Sequence, residues 1–306
     1  MSSVAANGLQ LEYETFGRPE HPAILLIMGL GAQLTLWPER FCHTLAAAGH
    51  YVIRYDNRDV GLSTKLDALG KPRVLRASVG YKLGLPIRAA YTLDDMAADA
   101  IGLLDALQIR RAHVVGASMG GMIAQLLAAR YPQRVHSLVL MMTNRGGRLA
   151  KGPSIKVALR LLKRPATTDR DRLIDHSLAT WKMVGSPSYH ASSAEMRALV
   201  ASQFDRAHDP AGVARQTLAI LASGGRKPLL GRISAPTLIV HGAIDPLIPV
   251  AAAHDLARLI PGSRLEIIPG MGHDLPEPLL PGLAASVLRH IGAETRPITL
   301  TARKSR

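Results

Sequence analysis

"HVVGASMGG", residues His113 to Gly121, is an apolar run that stops at a glycine, presents one serine and resumes on glycines. The spacing Gly-x-Ser-x-Gly, carried by Gly116, Ser118 and Gly120, fits a nucleophilic serine or a plain turn. A lone match is a weak signal, so the surroundings decide. "AHVVGAS" reads as a strand buried on both faces, and "MGGMIAQLLAARYP" as a helix closed by Pro132. A serine between them stands where a nucleophile elbow needs it, on a sharp strand-to-helix turn. The glycines remove side chains that would collide there. The amide of Met119, at the helix N-terminus, can donate to an oxyanion.

Upstream, "LQLEYETFG" (9–17) alternates apolar and polar residues as a half-solvated strand does, while "AILLIMG" (23–29) is continuously apolar. "FCHTLAAAGH" reads as a short helix and "YVIRYD" (51–56) as a strand. "TLDDMAADAIGLLDALQI" (92–109) is an amphipathic helix with Thr92 at its N-cap and Asp94 and Asp95 in its first turn. "VHSLVLMM" is another strand. This strand–helix order predicts a mostly parallel sheet of about eight strands covered by helices. Residues 145–230 break the rhythm with helical pieces such as "IKVALRLLK" and "VARQTLAILAS", separated by turns such as "GSPS". It resumes at "APTLIVHG" and runs through "VAAAHDLARLI", "RLEIIPG" and "LAASVLRHIG". The expected division is a core of residues 1–144 and 232–297, a helical lid at 145–231, and a basic tail at 298–306.

A serine hydroxyl is a poor nucleophile without a base and an orienting acid. On such sheets they follow the serine in the order Asp/Glu, His, each just past a strand. "LIVHGAIDPLIP" puts Asp245 in the loop leaving a buried strand, and "LEIIPGMGHDLPEP" puts His273 in the loop leaving the last one. His254 and His290 fall inside helices, and the loop after "VLMM" carries Asn144 and no near acid. Asp245 as a turn residue and His273 as an ordinary loop histidine are the plain alternatives. "LLIMGLGAQ" offers a second oxyanion donor, the Leu30 amide, in a loop opened by Gly29 and Gly31.

Taken together, "IMGLGAQ", "YDNRDVGLS", "GASMGG", "HGAIDPLIP" and "PGMGH" resemble the α/β-hydrolase superfamily in that family's order, across nearly the whole chain. The block from Met28 to Thr64 is similar to aclacinomycin methylesterase-like and proline-iminopeptidase-like members. Many members carry His-Gly where this chain has Met28-Gly29. The resemblance implies a serine hydrolase with a helical lid. Dehalogenases and epoxide hydrolases of this fold use an aspartate where position 118 is Ser. A carboxylesterase is expected, working on a small-molecule ester with no metal or organic cofactor. Thioesterase, lactonase, perhydrolase and C–C hydrolase chemistry share the same parts. A ligand-binding receptor and a peripheral membrane enzyme are further readings, separated by turnover and by salt-sensitive lipid binding.

Other residues are read more plainly. Trp37 is a pocket wall or a core aromatic. Trp181 and Met183 are candidate pocket walls in the lid, with Tyr189, Met196 and Phe204 as lid core or wall. Asp56 and Arg58 are expected to hold their loop by local hydrogen bonds to the backbone. Cys42 is a buried filler, and a single cysteine excludes an internal disulfide. The net charge is +14, and residues 145–230 hold 15 Lys/Arg against 6 Asp/Glu. No recognition-helix, zinc-finger or RNA-binding pattern accompanies them, so nucleic acid is not expected and a solvated face is. No run approaches the ~20 apolar residues of a membrane span. "MSSVAANGLQ" lacks a signal-peptide pattern, so a cytoplasmic protein is expected, with a homodimer left open.

Overall fold

The computed structural model describes residues 1–294 apart from 151, 164, 166, 190 and 191, so the tail at 298–306 lies outside the described residues. Eight strands form one sheet: β1 (Ser2–Ala6), β2 (Leu9–Phe16), β3 (Ala23–Ile27), β4 (Tyr51–Tyr55), β5 (Ala112–Ala117), β6 (Val135–Met141), β7 (Thr237–Gly242) and β8 (Arg264–Ile268). Their order is β1-β2-β4-β3-β5-β6-β7-β8, parallel from β4 to β8, with β1 and β2 paired antiparallel at one edge. The first edge strand is a finding that the sequence reading passed over.

Eleven helices accompany the sheet among the described residues: α1 (Glu39–Ala47), α2 (Val74–Lys82), α3 (Leu93–Ala106), α4 (Met119–Arg130), α5 (Ile155–Leu162), α6 (Arg170–Val184), α7 (Ser193–Arg206), α8 (Pro210–Ala222), α9 (Lys227–Leu230), α10 (Ala251–Leu259) and α11 (Leu280–Glu294). Helix α3 opens on the predicted cap: Thr92 and Asp95 form a capping box. Five of the helices, α5 to α9, lie between β6 and β7.

The central strands read as continuous apolar runs because both of their faces are covered. Leu25, Ile27, Val114, Leu138, Leu140 and Ile239 point into one core, with α3, α4 and α10. Their alternates, Ile24, Leu26, Val115, Val139, Leu238 and Val240, point into the other with α1 and α11. Side chains of a strand alternate between faces, so each core receives every second residue. Helix α8 contributes Ala219 to the first core, and Leu230 of α9 joins it. The end of the 145–231 segment is thus packed as core.

Strand order also fixes where a ligand can enter. After β3 the chain places β4 on one side, then returns to lay β5 on the other. Loops leaving β3 and β5 therefore diverge, and open α/β sheets bind ligands at that switch point. Leu30 follows β3 and Ser118 follows β5.

Candidate active site

Ser118 closes β5 and opens α4 with φ 55° and ψ −119°, a conformation that L side chains rarely adopt. It persists because its surroundings over-determine it. The Ser118 amide donates to Met141 O at 2.9 Å, and Thr143 Oγ1 donates to Ser118 O at 2.7 Å. The neighbours must be glycine. A Cβ on Gly120 would overlap the Ile27 carbonyl, and one on Gly116 would overlap the Gly120 carbonyl. The elbow is built by crowding.

His273 reaches Ser118 from the loop after β8. Its Nε2 lies 3.0 Å from Ser118 Oγ, and its Nδ1 lies 2.7 Å from Asp245 Oδ2. The Asp245 carboxyl is fully buried, and its other oxygen accepts from the amides of Leu247 (2.9 Å) and Ile248 (2.8 Å). With Nδ1–H donating to Asp245, Nε2 is left as the acceptor of the serine proton. The arrangement can move a proton from Oγ to the imidazole and stabilise the cation that forms. His254 lies in α10 and His290 in α11, as read from the sequence.

The amides of Leu30 and Met119 make no hydrogen bond among the described residues. Gly29 lies against Ser118, where a Cβ would come 3.1 Å from Ser118 Cβ. The Gly31 amide is instead taken by Gln216 Oε1 of α8 at 2.8 Å, which removes it as a donor to substrate. Trp37 is a correction to the pocket reading. It is fully buried in the core under α1 and stacked on Phe41, with centroids 5.7 Å apart. Trp181 and Met183 are half-buried near the end of α6.

Arg58 is a second correction. Local backbone bonds do not hold it: its guanidinium pairs with Asp99 of α3, Nε to Oδ2 and Nη2 to Oδ1, both at 2.6 Å. Asp56 accepts from the Leu34 and Leu62 amides, as expected, yet Arg206 of α7 also reaches it at 2.8 Å. Cys42 is buried and free, and burial pushes its thiol up to about 12.

Sequence reading missed the residues that hold the histidine loop. The His273 amide donates to Val184 O at 2.7 Å, and the Gly272 amide donates to Ser186 Oγ at 2.8 Å. Ser186 Oγ donates in turn to the Asp274 carboxylate, which also accepts from the Ser186 amide at 3.1 Å. The only signal was "GSPS", read as a break between helices. His241 was missed as well. It is fully buried on β7, its Nε2–H donates to Ile248 O at 2.8 Å, and burial holds its pKa below the usual histidine range. A neutral ring therefore stands 3.5 Å from Asp245 Oδ2 and leaves the carboxylate charge to His273.

The α/β hydrolase fold family profile matches residues 22–277. Rhodomycin D methylesterase of Streptomyces sp. (strain C5) is 34% identical, over 92% of this chain and 95% of the relative. The chain belongs to the α/β hydrolase fold family. This hydrolase is also 28% identical to 3-oxoadipate enol-lactonase 2 of Acinetobacter baylyi, over 87% of each chain. Among solved structures, the enol-lactonase from Burkholderia xenovorans LB400 matches this hydrolase with TM-score 0.73 and 25% identity, over 95% of this chain and all of that one.

Proposed function

We propose that the chain is a serine hydrolase that cleaves a carboxylic ester through an acyl-enzyme, with Ser118, His273 and Asp245 as its triad. The observation that carries the reading is the chain of contacts from Ser118 Oγ to His273 Nε2 at 3.0 Å and from His273 Nδ1 to Asp245 Oδ2 at 2.7 Å. Ser118 Oγ attacks the ester carbonyl as His273 Nε2 takes its proton, and Asp245 holds the imidazole tautomer. The oxyanion is received by the amides of Leu30 and Met119, each worth roughly 3–4 kcal/mol by the behaviour of such donors. Collapse expels the alcohol, protonated by His273. Water, deprotonated by the same nitrogen, then releases the acid and restores the serine.

Ester chemistry is supported by relatives named as a methylesterase and as an enol-lactonase, both of which break an acyl C–O bond. A lactone is the second reading, favoured by the enol-lactonase relatives of similar length. Helices α5 to α7 act as the lid. Gly29, Gly31, Trp181 and Met183 border the substrate. The test is hydrolysis of p-nitrophenyl esters from acetate to palmitate, and of a simple lactone, by wild type beside Ser118→Ala. Turnover is expected in the wild type alone. Equal activity in a folded Ser118→Ala variant would sink the assignment.

A further inference from the structure

Helix α2 turns its apolar stripe the wrong way. Leu75, Val79 and Leu83 recur at four-residue spacing and are 62%, 51% and 72% exposed, and Leu85 just beyond is 59% exposed. The opposite face, with Val74, Ala77, Ser78 and Tyr81 partly covered, is the packed one, and α2 lies against α8. An ordinary surface helix does the reverse.

Charge says what the stripe faces. Residues 68–91 hold five cations, Lys71, Arg73, Arg76, Lys82 and Arg88, and no carboxylate. All five are exposed, and none has a carboxylate partner among the described residues. Elsewhere several exposed arginines are paired, Arg130 with Asp94, Arg170 with Asp205 and Arg197 with Asp171. The unpaired ones among the described residues, such as Arg18, Arg172 and Arg232, stand apart in sequence instead of five within one stretch. On the helix Arg76 and Lys82 flank the stripe on its two sides, as the 100° step per residue dictates. The end of α2 meets the segment after β6, where the Arg148 side chain lies against Gly84 and the next residue, Leu149, is exposed. From the other side of α2, α8 sends Gln216 to the Gly31 amide in the loop beside Ser118.

We propose that α2, with Leu85 and Leu149, is a docking face for an anionic lipid surface. Exposed leucines enter the interface between headgroups and acyl chains, and unpaired cations meet the lipid phosphates. A protein partner of mixed charge would leave those cations uncompensated. The docked helix would lie one helix away from the loop beside Ser118.

The test is sedimentation of the full chain with vesicles of phosphatidylcholine alone and of phosphatidylcholine with phosphatidylglycerol. Three double variants separate the contributions: Leu83→Ser with Leu85→Ser, Arg76→Gln with Lys82→Gln, and the charge-matched control Lys227→Gln with Arg232→Gln outside α2. Wild type and control are expected to bind the anionic vesicles and to be released by salt. The Arg76, Lys82 pair should bind about 25-fold more weakly, because each cation near such a surface is worth about fivefold. The Leu83, Leu85 pair should bind at least about tenfold more weakly through lost apolar burial. Turnover of a soluble short-chain ester and the far-UV circular dichroism should stay unchanged in all three. Absence of binding at low salt, or equal loss in the control, overturns the proposal. So does a wild-type dimer in sedimentation equilibrium that becomes monomeric in the Leu83→Ser, Leu85→Ser variant, since a second copy would then cover the face.

Discussion

At the scale of single residues, the strain at Ser118 explains why so few residue types fit around it. Gly120 packs against the end of β3, and any side chain there would overlap the Ile27 carbonyl. Backbone cannot yield as a flexible side chain can. Gly120→Ala is therefore expected to cost about 3 kcal/mol. A shift in the urea midpoint measures it; an unchanged midpoint would contradict the packing argument. Asp245 is a different case, since removing its charge leaves the geometry in place. Asp245→Asn should lower kcat by about 10⁴-fold while the fold survives, because the amide favours the wrong imidazole tautomer. A loss of less than tenfold would assign the orienting role elsewhere. These positions were legible from the sequence because each sits at a strand end in a recurrent chain order. Trp37 was not. An aromatic six residues past Gly31 carries no mark of which way it turns, and its full burial and stacking on Phe41 assign it to the core.

At the scale of elements, the helices between β6 and β7 hold both sides of the candidate site. The last residue of α6, Val184, binds the His273 amide, Ser186 just past the helix binds the Gly272 amide, and α8 binds the Gly31 amide. Ser186 is a positioning residue: it touches the histidine loop and not the reacting atoms. Ser186→Ala should lower kcat by about tenfold to a hundredfold with KM little changed, since a misplacement of about 1 Å carries such a cost. Ser186→Thr, which keeps the hydroxyl, should recover much of it. Equal loss in both variants would mean simple disruption of the loop. Ion pairs bind α8 to the core as well. Buried Arg215 meets Asp59 at 2.8 Å through both Nε and Nη2, and the Asp59 carboxyl stays below its ordinary range: burial raises it, but bonds from Arg215, Leu66 and Tyr91 outweigh that. Asp59→Ala would leave the guanidinium buried beside weaker partners, at a cost of about 3–5 kcal/mol in chemical denaturation. Strands and helices were legible because their periodicities are local. These pairs were not, because Asp59 and Arg215 are far apart in sequence and either one alone reads as surface charge.

At the scale of the whole molecule, several buried histidines make stability depend on pH. His113 sits on β5 against Ser137 Oγ at 2.8 Å, and burial lowers its pKa to about 3, helped by the charges of His136, His50, His290 and Arg111 around it. His50, His136 and His241 are lowered too, each first by burial. A histidine with a lowered folded value binds fewer protons in the native state than in the unfolded chain. Its contribution is complete above the unfolded value of 6.5 and is lost as pH falls towards the folded one, near 3 for His113. Asp59 acts in the same direction at lower pH, its stabilisation being lost as pH falls below the ordinary carboxyl value of 3.8. The urea midpoint should therefore be flat above about pH 7 and fall steadily from about pH 6.5 to about pH 4. His113→Asn, which removes the group with the widest gap, should have a shallower slope whatever its stability at neutral pH. A parallel slope in that variant would move the dependence to the other lowered histidines, which also include His176 and His208. A flat profile in the wild type would mean that the rings are solvated when the chain is folded, against the burial that the two-sided sheet imposes on β5 and β7.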